Sequence, residues 1–292
     1  MKKLVVLLLL LSVCVYAEFP VTITDDVGLV SKIEKTPVRI VSLGPSNTEI
    51  LFALGLGERT VGVTSYCDFP AEAKKKKKVG DFISPNLEII LSLKPDLVLC
   101  AGGVQKDLAL KLRGLNIPAV TLYPKDLNQL INDIAVVGRT TGAESKAAKY
   151  MESLRARIAA VKEKVKGQPK PSVYFEIWNS PLTSAGKSSF VDELITLAGG
   201  ENIFAKVDQT FPTVNAENIV KSDPDIIVTA YMDRAGKIKT EVVKRAGWGK
   251  LKAIKNDRIY DDIDSNILLR AGPRLVDGIE ALARKFHPEL YK

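Results

Sequence analysis

Two glutamates, Glu88 and Glu217, stand at matching places in two similar stretches, NLEIILSLKPDLVLC (86–100) and NAENIVKSDPDIIVT (215–229). Asn86 with Asn215, Pro95 with Pro224, and Asp96 with Asp225 align at the same offset without a gap. An acid near the head of an apolar run suits the first turn of a helix, where the dipole favours negative charge. Charge-assisted carboxylate pairs are strong and often bidentate, so two acids repeated in register are candidates for more than helix-start residues.

A second set of residues is aromatic. Tyr66, Phe82, Trp178, Phe211 and Tyr231 fall where strand-like apolar runs end or just before the two repeated segments, and Pro45, Ser46 and Asn266 fall at comparable places. Any one of these rings is explained by core packing. As a set at strand exits in both halves of the chain, they predict a cleft lined by rings.

Signatures of catalysis are scarce. SAGKSS (184–189) contains GKS, but Pro181 stands where a phosphate-cradling loop needs its first glycine. GLGER (55–59) follows a helical pattern and lacks the third glycine of a dinucleotide fingerprint. No G-x-S-x-G occurs, and the one histidine, His287 in FHPEL, cannot build a clustered imidazole metal site. The chain reads as a binding protein, with no catalytic residue, no cofactor and no bare-metal site.

The elements that must position these residues are legible from periodicity. Residues 20–37 alternate and turn at Asp26-Val27-Gly28, which predicts a hairpin. RIVSL (39–43), TVGVTSY (60–66), DLVLC (96–100) and AVTLY (119–123) read as strands, with helices over 48–54 and 86–93. Ser46 or Asn47 is the expected cap of the first helix. Ala147, Met151, Leu154, Ile158, Val161 and Val165 mark one face of a long helix, closed by the GQPKP at 167–171. Alternation then resumes: SVYFEIW (172–178), IIVTAY (226–231) and RIYDDI (258–263) as strands, SFVDELITLAG (189–199) and LVDGIEALARKF (275–286) as helices. Apolar strands alternating with helices imply parallel sheets covered on both faces. Glu49 precedes Gly55 across an apolar stretch as Glu193 precedes Gly199, a second echo between the halves. The expected class is α/β: two Rossmann-like lobes with mainly parallel sheets, at 18–141 and 169–292, joined by one long backbone helix at 142–168.

Lys2 and Lys3, the apolar run to Val13 and the small residues that follow read as a signal peptide over 1–17. That run is too short to span a membrane, which takes about 20 residues. Export through cleavage after Ala17 is expected, with a lipid on Cys14 as the alternative. The formal charge is +8 at pH 7, and much of the excess sits in Lys74–Lys78, read as a solvated loop rather than a nucleic-acid patch. Cys67 and Cys100 fall near the ends of strands that are not expected to be neighbours, so two free buried thiols are expected.

Taken in order, RIVSLGPSNTEILFALG, VGVTSYCDFP, NLEIILSLKPDLVL, GGENIF (199–204) and RAGPRLVDGIEALA resemble the helical-backbone substrate-binding proteins of ABC importers for cobalamin, ferric siderophores and haem. The resemblance runs through essentially the whole chain after the leader. It implies a monomer outside the cytoplasm that delivers its ligand to a membrane permease dimer, docking through Glu88 and Glu217. It also implies ligand contacts at Pro45, Ser46, Tyr66, Phe82, Trp178, Phe211, Tyr231, Asn266 and Arg270. SYCDFP, with Tyr66, and the placement of Phe82 and Phe211 are similar to cobalamin-binding members. Those members tend to carry tryptophan at these phenylalanines and an acid near Asn266, which keeps a ferric chelate or haem open. Arg270 either faces an anionic ligand or braces the GPR turn. A nitrogenase-like enzyme on a similar scaffold would need cluster-ligating cysteines that the sequence lacks.

Overall fold

The computed structural model describes residues 19–231 and 238–292. The leader expected over 1–17, and Cys14 with it, lie outside the described residues.

The described chain opens with an antiparallel hairpin, β1 (Val21–Thr24) and β2 (Val30–Ile33). Asp25 closes its turn by accepting from the N–H groups of Val27 and Leu29, and also accepts from Thr121 N at 2.9 Å, which ties the hairpin to the first sheet. There follow β3 (Ile40–Ser42), α1 (Pro45–Ala53), β4 (Thr60–Val63), β5 (Lys77–Lys78), α2 (Leu87–Ser92), β6 (Leu97–Ala101), α3 (Lys106–Gly114) and β7 (Ala119–Leu122). The sheet runs β5-β4-β3-β6-β7 and every pairing in it is parallel. The chain works outward from β3 to one edge and then resumes on the other side. Its direction therefore reverses between β3 and β6, and the crevice beyond the carboxyl ends at such a reversal is where open sheets hold ligands.

Two helices come next, α4 (Leu127–Thr141) and α5 (Glu144–Val165). The turn between them uses Gly142 at φ +68°, a left-handed conformation that glycine adopts without a Cβ penalty. On α5 the predicted stripe is the packed one. Ala147, Leu154 and Val161 are buried, and Met151, Ile158 and Val165 pack against the same core.

The second sheet is built from β8 (Ser172–Asn179), β9 (Leu182–Ser184), α6 (Phe190–Leu197), β10 (Glu201–Asn202), α7 (Ala216–Ser222), β11 (Ile226–Thr229), α8 (Lys239–Val243), α9 (Lys252–Lys255), β12 (Ile259–Tyr260), α10 (Asn266–Leu269) and α11 (Leu275–Phe286). Its parallel order is β10-β8-β11-β12, with β9 folded back antiparallel on β8. The reversal here lies between β8 and β11. The fold is the expected α/β arrangement of two lobes. One continuous core passes through both, from Ile50, Leu97 and Leu130 through Leu154 to Phe175, Ile195 and Leu282. Among the described residues no helix is long and apolar enough to cross a membrane.

The sequence repeat extends to its hydrogen bonds. Asp96 accepts from Val38 N and Arg39 N at 2.9 and 2.8 Å, at the entry to β3. Asp225 accepts from the N–H and hydroxyl of Ser172 at 2.9 and 2.8 Å, at the entry to β8. In each lobe the matched aspartate pins the first strand to the strand beside it. For Asp225, burial pushes the carboxyl up, but the Ser172 hydrogen bonds outweigh it and hold the group below its ordinary value.

Three local expectations are corrected. α1 begins at Pro45, not Thr48, and neither Ser46 nor Asn47 caps it. Proline at the first helical position needs no donor, and the Asn47 amide is spent elsewhere, donating to Leu99 O and Cys100 O at 3.3 and 2.8 Å. The lysine run is not simply a solvated loop. Lys77–Lys78 form an edge strand, and Lys78 Nζ reaches the carbonyls of Thr64, Cys67 and Ala73 at 3.2–3.5 Å. RIYDDI contributes only Ile259–Tyr260 to the sheet, and just beyond it the Asp261 carboxylate accepts from Ile238 N and Lys239 N, both at 2.8 Å. Cys67 and Cys100 are free and buried, and burial pushes the Cys100 thiol up to about 12.

Candidate functional site

Each sheet has one direction reversal, between β3 and β6 in the first and between β8 and β11 in the second. At the first, Gly44 lies against β6 so closely that a Cβ on it would meet Ala101 Cβ at 2.6 Å and the Phe82 ring at 3.7 Å. Pro45 and Ser46 begin α1 there and are half-buried. Gln105 fixes the neighbourhood. Its amide donates to Leu43 O and Phe82 O at 2.9 and 2.7 Å, and its carbonyl accepts from Ala101 N at 2.8 Å. Gln105 thus ties the ends of β3 and β6 to the segment carrying Phe82. Its side chain joins three segments distant in sequence, and nothing in its local pattern marks it. Tyr66 projects from the turn after β4 with 59% of its surface exposed, while the next residue, Cys67, is buried against Thr64.

The second lobe repeats this arrangement. Phe211, 45% exposed, lies before α7 as Phe82 lies before α2. Its ring meets Phe190, the first residue of α6, edge-on at 6.0 Å between centroids. The segment carrying it is held along β9 by Ser184 N to Pro212 O at 3.0 Å and Val214 N to Leu182 O at 2.8 Å. Trp178 leaves β8 half-exposed, its indole N–H donating to Ser180 O at 3.0 Å.

Tyr231 departs from the expectation. It is only 1% exposed, so it presents no face to a ligand. Its ring backs Trp178 at 5.8 Å, and its hydroxyl is hydrogen-bonded to Glu176. Glu176 is itself buried on β8. It also accepts from the Tyr174 hydroxyl at 2.9 Å and from both terminal nitrogens of Arg245, at 2.5 and 2.7 Å. Arg245 lies 4.6 Å over the Trp248 ring. A buried carboxylate is tolerable only when fully paired, and this one accepts from three side chains. The cluster orients Trp178 from behind.

Arg270 pairs with a carboxylate of the other lobe. Its Nη1 and Nη2 donate to the Asp68 carboxylate at 2.5 and 3.3 Å, joining the second lobe to the loop that carries Tyr66. Burial pushes the Asp68 carboxyl up, but the Arg270 hydrogen bond and charge outweigh it and hold the group below its ordinary range. Four residues on, Arg274 donates to Glu49 at 2.7 Å, approaches Asp264 at 3.6 Å and lies 4.1 Å over the Phe69 ring. Gly272 sits where a Cβ would meet Ser46 at 3.3 Å, which brings the start of α1 against the 270–274 turn. Asn266 begins α10, half-buried, with its N–H donating to Asp264 at 2.9 Å.

Behind these ion pairs, toward α5, a cavity of about 250 Å³ is lined by Glu49, Phe52, Phe69, Tyr150 and Arg274, among others. None of the sequence-predicted ligand residues lines it. Among the described residues no group of three or more histidine, cysteine or acidic side chains could hold a metal ion.

Glu88 and Glu217 each stand six residues after the ring, Phe82 or Phe211, that precedes their helix. Each is exposed in the first turn of its helix, α2 or α7. Asn86 caps the first by accepting from Ile89 N at 2.9 Å, and Asn215 caps the second by accepting from Glu217 N and Asn218 N at 2.7 and 3.2 Å.

Comparison with known proteins bears on this geometry. The family model described as periplasmic binding protein matches residues 40–265. An uncharacterised ABC transporter substrate-binding lipoprotein of Bacillus subtilis (strain 168) is 38% identical over 283 residues, covering 94% of this chain and 88% of its own. A vitamin B12-binding protein of Salmonella paratyphi A is 32% identical over 240 residues, covering 82% of this chain and 86% of its own. Among solved structures, the periplasmic heme-binding protein RhuT from Roseiflexus sp. RS-1 superimposes with a TM-score of 0.75 at 28% identity, covering 86% of this chain and 98% of its own.

Proposed function

Because this chain belongs to the periplasmic binding protein family, we propose that it captures a cobalamin-type corrinoid between its lobes and passes it to an ABC importer. At the coarser level it is an extracytoplasmic substrate-binding protein of the class that serves vitamin B12, siderophore and haem importers, a transport receptor rather than an enzyme. The observation carrying the corrinoid is the ring set. Tyr66 follows a strand and Phe82 precedes a repeated helix in one lobe, as Trp178 ends a strand and Phe211 precedes the matching helix in the other, and most of these rings are half-exposed. Each such ring can cover apolar ligand surface at little entropic cost. A flat macrocycle with large faces suits walls of this kind, and similarity to vitamin B12-binding proteins over most of the chain supports the same ligand. Pro45, Ser46, Asn266 and Arg270 complete the proposed contacts, with Tyr231 acting through Trp178. The proposal includes the division into lobes at 18–141 and 169–292 around a linking segment at 142–168, and a monomer that docks on a permease dimer through Glu88 and Glu217.

Calorimetric titration with cyanocobalamin, haem and a panel of ferric siderophores tests the cargo. Heat with cyanocobalamin is expected, and silence with it alongside heat from another ligand overturns the assignment. A haem reading has one observation of its own. The Tyr66 side chain is exposed in the turn after β4, and a tyrosine oxygen is a known type of haem-iron ligand. A charge-transfer band lost in Tyr66→Phe would favour it.

A further inference from the structure

We propose that Asp68 is a specificity-determining residue, which keeps carboxylate-bearing ligands out of the cleft by occupying the guanidinium of Arg270. The proposal rests on the region between the two reversal points being the ligand site.

Arg270 is where an anionic ligand would be expected to bind, yet both of its terminal nitrogens are engaged by one carboxylate, at 2.5 and 3.3 Å. Asp68 is two residues beyond Tyr66, and Arg270 is four beyond Asn266, so the pair lies among the proposed contacts. The Arg270 side chain is 15% exposed and that of Asp68 is 42% exposed, so the guanidinium is the sheltered partner and the carboxylate borders solvent. The neighbouring guanidiniums are treated alike. Arg274 is held by Glu49, with Asp264 nearby, and Arg245 by Glu176. These three arginines near the proposed walls each have a carboxylate of their own, and the balance is local rather than borrowed from the ligand.

A ligand bearing carboxylates must therefore take Arg270 from Asp68. That exchange gains one charge-assisted pair and loses another, and it leaves the Asp68 carboxylate beside the incoming anion in a partly desolvated site. A ligand whose rim carries primary amides needs no exchange, because an amide finds donors and acceptors on the pair as it stands. This is discrimination by a repulsive element rather than by added attraction. It separates a corrinoid, whose ring periphery is largely carboxamide, from an iron porphyrin with two propionates.

Asp68→Asn removes the charge with little change of shape. Haem and cyanocobalamin are titrated into wild type, D68N and the double variant D68N/R270Q, at low and at physiological salt. Haem affinity is expected to rise tenfold or more in D68N, and with it the ratio of haem to cyanocobalamin affinity. The gain should shrink as salt rises and vanish in the double variant. Haem affinity in D68N within threefold of wild type, or a gain that survives in D68N/R270Q, overturns the proposal. Circular dichroism verifies the fold of D68N, and Asp68→Ser supplies the same loss of charge if D68N is unfolded. Failure of the corrinoid reading appears separately, as silence of the wild type with cyanocobalamin, whatever D68N does to haem.

Discussion

Glu49 and Glu193 each tie their own lobe to a helix start in the other, Glu49 through a guanidinium and Glu193 through a backbone N–H. Glu49, on α1 of the first lobe, accepts from Arg274 at 2.7 Å, the residue just before α11 of the second. Glu193, on α6 of the second lobe, accepts at 2.9 Å from Leu127 N, the first residue of α4. Each glutamate reaches the head of the helix that ends the other lobe's α/β run. The echo between Glu49 and Glu193 in the sequence is thus a pseudo-two-fold pair of contacts across the interface. For both, burial pushes the carboxyl above its ordinary value, against the opposing pull of Arg274 or of the Leu127 N–H.

Removing Glu49 exposes the worth of this interface. Glu49→Ala leaves the Arg274 guanidinium sheltered without its main partner, and breaking a buried pair from one side costs about 3–5 kcal/mol. Because the Arg274 side chain retains 14% exposure and lies near Asp264, a loss of about 2–3 kcal/mol in urea unfolding is expected. The pH dependence follows from the raised carboxyl. The folded state holds this proton more tightly than the unfolded chain, so the group's stabilising contribution is full below about 4.5 and is lost as pH rises through the folded value. Glu49→Gln cannot titrate, so its stability relative to wild type should increase from pH 4 to 7. The opposite slope would count against a raised Glu49.

Asp133 gives a second pH signature. It is buried on α4, and burial, followed by repulsion from Asp26, pushes its carboxyl up to about 8. One of its oxygens has no hydrogen-bond partner. At neutral pH the group is largely a neutral acid, and its favourable contribution fades as pH rises from about 4 through about 8. Asp133→Asn should therefore be the more stable protein at pH 9, by on the order of 1–3 kcal/mol, with the advantage shrinking toward pH 5. Thermal unfolding of both proteins across this range measures it.

Gly44→Ala tests the close approach at the first reversal point. Its backbone is extended at φ −152°, which any residue adopts, so the cost is steric alone. The new methyl would meet Ala101 at 2.6 Å. Overpacking of this kind costs about 1–3 kcal/mol, and relief requires the β3–β6 junction to part where Phe82 rests. A lower denaturation midpoint together with weaker ligand binding is expected. Lower stability with unchanged binding would separate Gly44 from the cleft.

Changing Glu88 and Glu217 to lysine should leave ligand affinity intact, because each is an exposed first-turn acid and neither is among the proposed ligand contacts. Docking of loaded protein on its permease in nanodiscs should fall for each single change and nearly vanish for the double. Wild-type docking should weaken as salt rises, since screening acts over about 8–10 Å. Undiminished docking by the double variant would reduce both glutamates to helix-start acids.

Local pattern determined much of this protein. The duplicated segments, the apolar strands buried on both faces, the stripe on α5 and the full extent of α11 follow from periodicity and side-chain type, which act over a few residues and need no knowledge of the rest. The positions of Phe82 and Phe211 ahead of the repeated helices, and of Trp178 near the end of β8, were legible for the same reason, since each follows from local strand and helix patterns, whereas β4 stops at Val63, short of Tyr66. What only the tertiary structure decided are the contacts between segments far apart in the chain. Arg270 pairs with Asp68, and Arg274 with Glu49, more than two hundred residues away. Tyr231 turns inward because Glu176 and Arg245 take its hydroxyl into a buried cluster. Asn47 abandons the helix cap because two carbonyls around the end of β6 come within its reach. A charged or polar side chain is satisfied by whichever partner the packed chain brings near, and that choice is made only when the lobes meet.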